Sequence, residues 1–279
     1  MSKVWFITGA SSGFGRALAE EVLARGDRIV AAVRKLDAVR DLVDRAPDRV
    51  HALQLDVTQS EQIAAAVRGA YERFGVIDVL VNNAGYTLLG ALEETSEGEL
   101  RSLMDTLFFG PALLTRAVLP QLRERGAGTI VQISSSAGIA TWAGSAAYCA
   151  AKHALEGLSE SLAKEVAPFG VRVLIVEPGM FRTQLLGAGF RRMPPLDVYA
   201  SSVGPVRAFV ADNAGQQPGD PHKAARAIYD AVAAGAPHLR LPLGADAISG
   251  IRDKLAEVQA DVAANEAVAQ AMALTASGR

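Results

Sequence analysis

Val4-Trp-Phe-Ile-Thr-Gly-Ala-Ser-Ser-Gly-Phe-Gly-Arg16 is the stretch that decides the architecture. An apolar run of strand length, Val4–Thr8, passes directly into a glycine-rich turn, and the turn opens a segment with helical periodicity. Gly9 can make the tight turn, Gly13 lets an anion approach the helix N-terminus, and Gly15 lets helix and strand pack closely. Free amides at a helix N-terminus and the helix dipole favour negative charge there. In a chain with 26 glycines the spacing alone is a weak signal. Its place after the first strand and before the first helix marks a dinucleotide-binding turn, completed by Ser11, Ser12 and Phe14.

Working outward, strand-length apolar runs alternate with helical stretches, the pattern of βαβ units around a parallel sheet. Strands are expected near Val4–Thr8, Arg28–Val33, Val50–Leu55, Val79–Asn82, Thr129–Ser134 and Val171–Glu177, with a weaker seventh near His238–Leu241. Helices are expected to begin near Gly13, Leu36, Ser60, Ser96 and Tyr148. The expected fold is α/β, a Rossmann-like doubly wound parallel sheet of about seven strands with helices on both faces. The last two helices carry apolar faces suited to subunit packing or to covering a wide sheet; a homodimer or homotetramer through them is expected. Residues 1–279 read as one domain, with a mobile substrate flap over about 184–221 and an amphipathic C-terminal helix over about 245–273.

Composition narrows the partners. At 279 residues, 50% hydrophobic and 21% charged with a net charge of −2, the chain lacks the basic stripe that phosphate backbones require, so no nucleic-acid partner is expected. Cys149 is the only cysteine, which excludes an intramolecular disulfide. His51, His153, His222 and His238 are scattered, so no metal site is expected. No signal-peptide core precedes the first strand, and no apolar run reaches the roughly 18 residues that span a bilayer. The expectation is a cytoplasmic protein with no membrane partner.

The end of the second strand bears on the cofactor. Enzymes that use NAD usually place an acid there for the ribose 2′-hydroxyl. Here the sequence is Ala31-Ala32-Val33-Arg34-Lys35. The guanidinium of Arg34 suits a 2′-phosphate, which favours NADP(H).

A second motif is Tyr148-Cys-Ala-Ala-Lys152. Spacing of four puts both side chains on one helical face, where an ammonium beside a phenol is expected to lower its pKa. Ser134, Ser135 and Ser136 end the fifth expected strand, at the sheet edge where ligands sit in such folds, and spacing alone does not choose among them. Read together, Thr8–Gly15, Asp56-Val57, Asn82-Asn83-Ala84-Gly85, Ile133-Ser134-Ser135, Tyr148-x-x-x-Lys152 and Pro178-Gly179 with Thr183 resemble the short-chain dehydrogenase/reductase family over about residues 3–185. The resemblance selects Ser135 and implies hydride transfer to or from a carbonyl carbon. Tyr148 is the implied acid/base, Lys152 a ligand of the nicotinamide ribose, and Ser135 a stabiliser of the substrate oxygen. It further implies Asp56 and Val57 at the adenine, Asn83, Ala84 and Gly85 along the adenosine side, and Pro178, Gly179, Phe181 and Thr183 around the nicotinamide carboxamide.

One position departs from the family pattern. An asparagine usually stands in the long helix before the fifth strand, where it steadies a kink and its carbonyl holds a relay water. This chain has Leu107-Phe108-Phe109-Gly110. Leucine keeps the carbonyl but offers no side-chain amide, so altered proton exchange is expected. Residues expected to face substrate are Tyr86–Leu89, Ile139–Gly144 with Trp142, and the flap from Gln184. They are mostly apolar and point to a lipophilic ketone, aldehyde or secondary alcohol. Arg191-Arg192 reads as an exposed basic pair or a carboxylate contact. Alternatives on the same scaffold are a redox-silent NADP sensor and a non-redox lyase or epimerase.

Overall fold

The computed structural model describes residues 2–187 and 189–273. Its strands are β1 (Val4–Thr8), β2 (Arg28–Val33), β3 (Val50–Gln54), β4 (Val79–Asn82), β5 (Thr87–Leu89), β6 (Gly128–Ile133), β7 (Val171–Pro178), β8 (Phe190–Arg192) and β9 (Arg240–Leu243). Seven of them form one parallel sheet in the order β3-β2-β1-β4-β6-β7-β9, and β5 pairs with β8 separately. The order reverses between β1 and β4, which opens a crevice at their carboxyl ends. This is the expected doubly wound Rossmann-like fold.

The helices are α1 (Gly13–Ala24), α2 (Arg40–Arg45), α3 (Ser60–Phe74), α4 (Glu97–Met104), α5 (Gly110–Arg125), α6 (Ala146–Val166), α7 (Gly204–Asn213), α8 (Pro221–Ala233) and α9 (Ala245–Gln270). Every residue of β1 is buried, as befits a parallel strand covered on both faces. Alternation sends Trp5 and Ile7 into the layer under α1, α2 and α8, and Val4 and Phe6 into the layer under α3, α5 and α6. Between α4 and α5 the residues Asp105–Phe109 form one π-helical turn. Glu97–Arg125 is therefore one helical run, and an 18-residue window within it reaches a mean hydropathy of 1.2, enough for a candidate membrane span by length and composition alone. A reading by unbroken apolar runs passes over it because Arg116 interrupts the pattern. Leu114, Val118 and Leu122 of this run lie buried in the core against the sheet.

Two expectations are corrected. The seventh strand lies at Arg240–Leu243, two residues later than read. The stretch read as a flap without regular structure contains β8 and α7, with Pro205 opening the helix rather than breaking it. The C-terminal helix forms at Ala245–Gln270, and from Leu255 onward every described residue of it is exposed.

Candidate active site

The glycine turn is built by close approach. Gly9 has φ +66 and Gly13 φ +55, left-handed conformations that side chains with a Cβ disfavour. A Cβ on Gly15 would run into the Gly9 carbonyl and the Asn83 side chain, so only glycine lets α1 start this close to β1. A Cβ on Gly13 would stand 3.4 Å from Thr183, which brings two residues expected at the cofactor together. Ser12 precedes α1 without capping it through its side chain. The first-turn amides are thus left for an anion. An open cleft of about 530 Å³ lies there, lined among others by Gly13, Arg16, Arg182 and Thr183. Arg16 is held by Glu20 and Asp41, and Arg182, which sequence reasoning missed, bonds the Gln217 carbonyl through Nε at 3.3 Å. Phe14 and Phe181 close one side as an edge-on pair 5.0 Å apart.

The loop after β4 is pinned to β1. The backbone amides of Asn83 and Ala84 both donate to Thr8 Oγ1 at 2.9 Å, and Asn83 Nδ2 donates to the Thr8 carbonyl at 2.8 Å. The Asn83 side chain is spent on shaping the turn, so any contact along an adenosine comes from this loop's backbone. Asn82, buried beneath, donates to Thr115 Oγ1 and Gln132 Oε1 at 3.0 Å each. A Cβ on Gly110 would sit 2.9 Å from Val57, which lets α5 pass close under the Asp56-Val57 turn. Asp56 accepts from the Thr58 amide and hydroxyl at 3.0 and 2.8 Å. Arg34 stands exposed at the end of β2, in no ion pair among the described residues.

Across the crevice, Ser135, Tyr148 and Lys152 converge. Tyr148 lies in the first turn of α6 and Lys152 one turn later, 8% and 6% exposed. Lys152 Nζ donates to the Ile133 carbonyl at 2.8 Å and stands 5.8 Å from the centre of the Tyr148 ring. Of the three serines, Ser135 and Ser134 differ in surroundings. Ser135 faces the Tyr148 phenol and accepts from the Ala137 amide at 3.1 Å, whereas Ser134 Oγ is buried without a partner.

Electrostatics correct one expectation. Burial pushes the Tyr148 phenol up to about 12, with the Ser135 hydroxyl working the other way and Cys149 adding to the rise. A lowered phenol pKa does not emerge because complete burial outweighs its neighbours. Burial also brings the Lys152 amine down to about 8, opposed by the Glu156 carboxylate one turn further along α6. Glu156 is itself buried and paired with Arg240, an arrangement no local motif announces.

The Pro178–Thr183 segment is held from below. The Gly179 amide donates to the Leu243 carbonyl at 2.9 Å and the Met180 amide to Asp246 at 2.7 Å. Ser135 Oγ reaches the Pro178 carbonyl at 3.4 Å, linking the two halves of the site. Tyr148 belongs to an apolar cluster with Leu88, Leu107, Ala147 and Cys149, against which Tyr86 and Met193 pack. Of the residues expected to face substrate, Leu88 and Leu89 are instead 1% and 2% exposed and form strand β5. Gly144 nonetheless meets both Leu89 and Val203, so the loop before Tyr148, the β5 segment and the flap do converge. Arg191 is not a free cation: it pairs with Glu99 at 2.7 Å and lies over the Tyr86 ring.

A glycine turn at the switch point of a doubly wound sheet, facing buried Tyr148 and Lys152 with half-buried Ser135 across the same edge, defines a dinucleotide-dependent oxidoreductase. The chain belongs to the short chain dehydrogenase family, whose family model matches residues 3–212. It is 37% identical to the oxidoreductase BOA17 of Botryotinia fuckeliana over 92% of this chain and 94% of that protein. A short-chain dehydrogenase from Streptomyces avermitilis superposes with a TM-score of 0.93 at 50% identity, covering 98% of this chain and 100% of that one. A Burkholderia phymatum family member solved with NAD gives 0.81 at 26% identity over 92% and 95% of the two chains. A metagenomic short-chain oxidoreductase solved with NADP gives 0.61 at 35% identity over 65% and 85%.

Proposed function

We propose that this oxidoreductase uses NADP(H) to reduce a lipophilic ketone or aldehyde to the alcohol, with Tyr148 as the proton donor. The observation that carries the reading is the Tyr148 phenol, 8% exposed, with the Ser135 hydroxyl and the Lys152 amine beside it, inside the apolar cluster of Leu88, Leu107, Tyr86 and Met193. A loaded acid in an apolar setting suits carbonyl reduction, and alcohol oxidation is the same step reversed.

The residues present fit a nicotinamide dinucleotide. The bare glycine cradle and uncapped α1 N-terminus suit a pyrophosphate, and Arg34, exposed after β2, would supply a cation for a ribose 2′-phosphate. Relatives have been solved with NAD and with NADP, so the preference for NADP rests on Arg34 and the missing acid beside it. When bound, the cofactor supplies the hydride. Lys152 would hold the ribose hydroxyls, Thr183 and the Pro178–Phe181 backbone the carboxamide. Ser135 would donate to the substrate oxygen as charge develops on it, while Tyr148 gives that oxygen its proton.

The test is loss of NADPH absorbance with a panel of lipophilic ketones and aldehydes. Oxidation with at least one of them is expected. Tight NADPH binding without oxidation by any would overturn the reductase reading in favour of a redox-silent sensor, and product formation without net absorbance change would point to lyase or epimerase chemistry.

A further inference from the structure

Helix α9 begins as part of the body and then leaves it. Asp246 holds the Met180 amide, Ala247 is fully buried and Gly250 approaches Ala140, but from Leu255 to Ala273 every residue is exposed. Its 26 residues correspond to a rod about 39 Å long. Helices in proteins owe most of their stability to packing, and among the described residues this one packs on nothing along most of its length. Yet it carries Leu255 at 57%, Val258 at 44%, Val262 at 67% and, off the seam they form, Val268 at 63% exposure, and Met272 at 72% follows in the turn after its last residue. These residues are ordered. Ile248, Ile251, Leu255, Val258, Val262 and Met272 follow one alternating three- and four-residue spacing, with Asn265 and Ala269 at the two remaining positions. A seam that repeats every 3.5 residues matches another helix carrying the same repeat.

We propose that α9 is a self-pairing interface, forming an antiparallel two-stranded coiled coil with α9 of a second copy of this chain. Orientation and register follow from charge. A two-fold axis at Ala260 sets Val258 against the partner's Val262, Leu255 against the partner's Asn265 and Ile248 against the partner's Met272. It also brings Arg252 beside the partner's Glu266, twice by symmetry, and the one like-charge approach on its flanks is Asp261 to its twin near the axis. Parallel pairing instead lays Asp261 beside the partner's Glu266 on both flanks and gives Arg252 no acid. Such a contact is isologous and closes on itself, and it is independent of the cofactor and substrate assigned above.

Sedimentation of the full-length protein tests it. The L255E/V262E variant, altered only at exposed positions, is expected to halve the assembly mass with unchanged far-ultraviolet circular dichroism. R252E and E266R should each weaken association by about tenfold, and R252E/E266R should restore it, since only the antiparallel register joins these two residues. Q259C, beside the axis, should oxidise to a linked dimer, whereas L255C, about 15 Å from its twin along the pair, should not. An assembly mass unmoved by L255E/V262E, absence of rescue in the double charge reversal, or linking of L255C in preference to Q259C overturns the proposal.

Discussion

Leu107 closes directly over Gly85: a Cβ on the glycine would lie 2.8 Å from Leu107 Cδ2. Leu107 is 1% exposed within the π-helical turn Asp105–Phe109, so the irregular helix persists with an apolar side chain packed into the Tyr148 cluster. Replacing it by asparagine trades packing for an amide. L107N is expected to lose about 2–4 kcal/mol of stability through lost burial and a poorly satisfied polar group. It should also change the pH dependence of turnover if the family's water relay is otherwise impaired. Thermal unfolding and a pH–rate profile measured on one preparation separate the two effects. A profile identical to the parent's would show that the Leu107 carbonyl already serves the relay.

Tyr148 is the group whose loss should be felt most. Y148F removes the proton donor yet leaves the ring in its apolar cluster, so reduction should fall by about 10²–10⁴-fold while NADPH affinity and melting temperature change little. Steady-state rates alongside cofactor titration check this. Parent-like reduction by Y148F would move the acid elsewhere.

Lys152 is buried with its amine brought down from 10.5 to about 8, a cost on the order of 3 kcal/mol for holding the charge at neutral pH. K152M removes that cost and loses the bond to the Ile133 carbonyl, worth about 1 kcal/mol. The cofactor-free variant should therefore melt several degrees higher while losing activity. The sign can be tested directly. Between about pH 8 and 10.5 the unfolded lysine holds a proton that the folded one has released, so this group makes stability rise with pH across that window. In K152M that contribution should vanish from denaturant titrations at pH 7.5 and 9.5.

What was legible in the sequence was local. Val4–Ile7 and Val173–Val176 declare themselves because strands buried on both faces are continuously apolar, and Gly9, Gly13, Gly15, Tyr148 and Lys152 because each motif fits within two helical turns or one loop. The pairing of Thr87–Leu89 with Phe190–Arg192 had no such signal: two three-residue strands far apart in sequence are joined only by tertiary packing. Glu156 under Lys152 and Asp246 under Met180 are single acids without a pattern, visible only once α6, β9 and α9 meet. The sign of the Tyr148 shift was equally hidden, because spacing reveals a neighbouring ammonium but not the depth at which both groups are buried.

Arg34 offers a clean test of cofactor choice. It stands exposed at the end of β2, so R34A should leave the fold intact. Loss of one charge-assisted phosphate contact, about 1.5–3 kcal/mol, weakens NADPH by roughly ten- to a hundredfold. NADH has no 2′-phosphate and should change by no more than about twofold. Fluorescence titration with both cofactors reads the ratio, and equal losses for the two would remove Arg34 from phosphate recognition.

One carboxylate, Glu94, ties the flap to the body alongside the Arg191–Glu99 pair, the Tyr199–Glu93 bond and the β5–β8 pairing. Glu94, 1% exposed at its side chain, accepts from the backbone amides of Ala91 and Leu196 at 2.6 and 2.7 Å and pairs with Arg207 at 2.6 Å. The Leu196 amide leads in holding this carboxyl below its ordinary value, with Ala91 and Arg207 adding to it. A depressed carboxylate contributes stability that is present above the ordinary value of 4.5 and is lost as pH falls through the folded value. The segment from Met193 to Arg207 should therefore open on acidification before the central sheet does. Hydrogen exchange, corrected for its intrinsic pH dependence, should show protection at Leu196 falling as the pH is taken down below 4.5 while β1 and β4 remain protected. R207M should raise exchange in the same segment already at neutral pH and increase KM for substrate more than it lowers kcat. Unchanged exchange in R207M would mean that the two backbone bonds to Glu94 suffice to hold the flap.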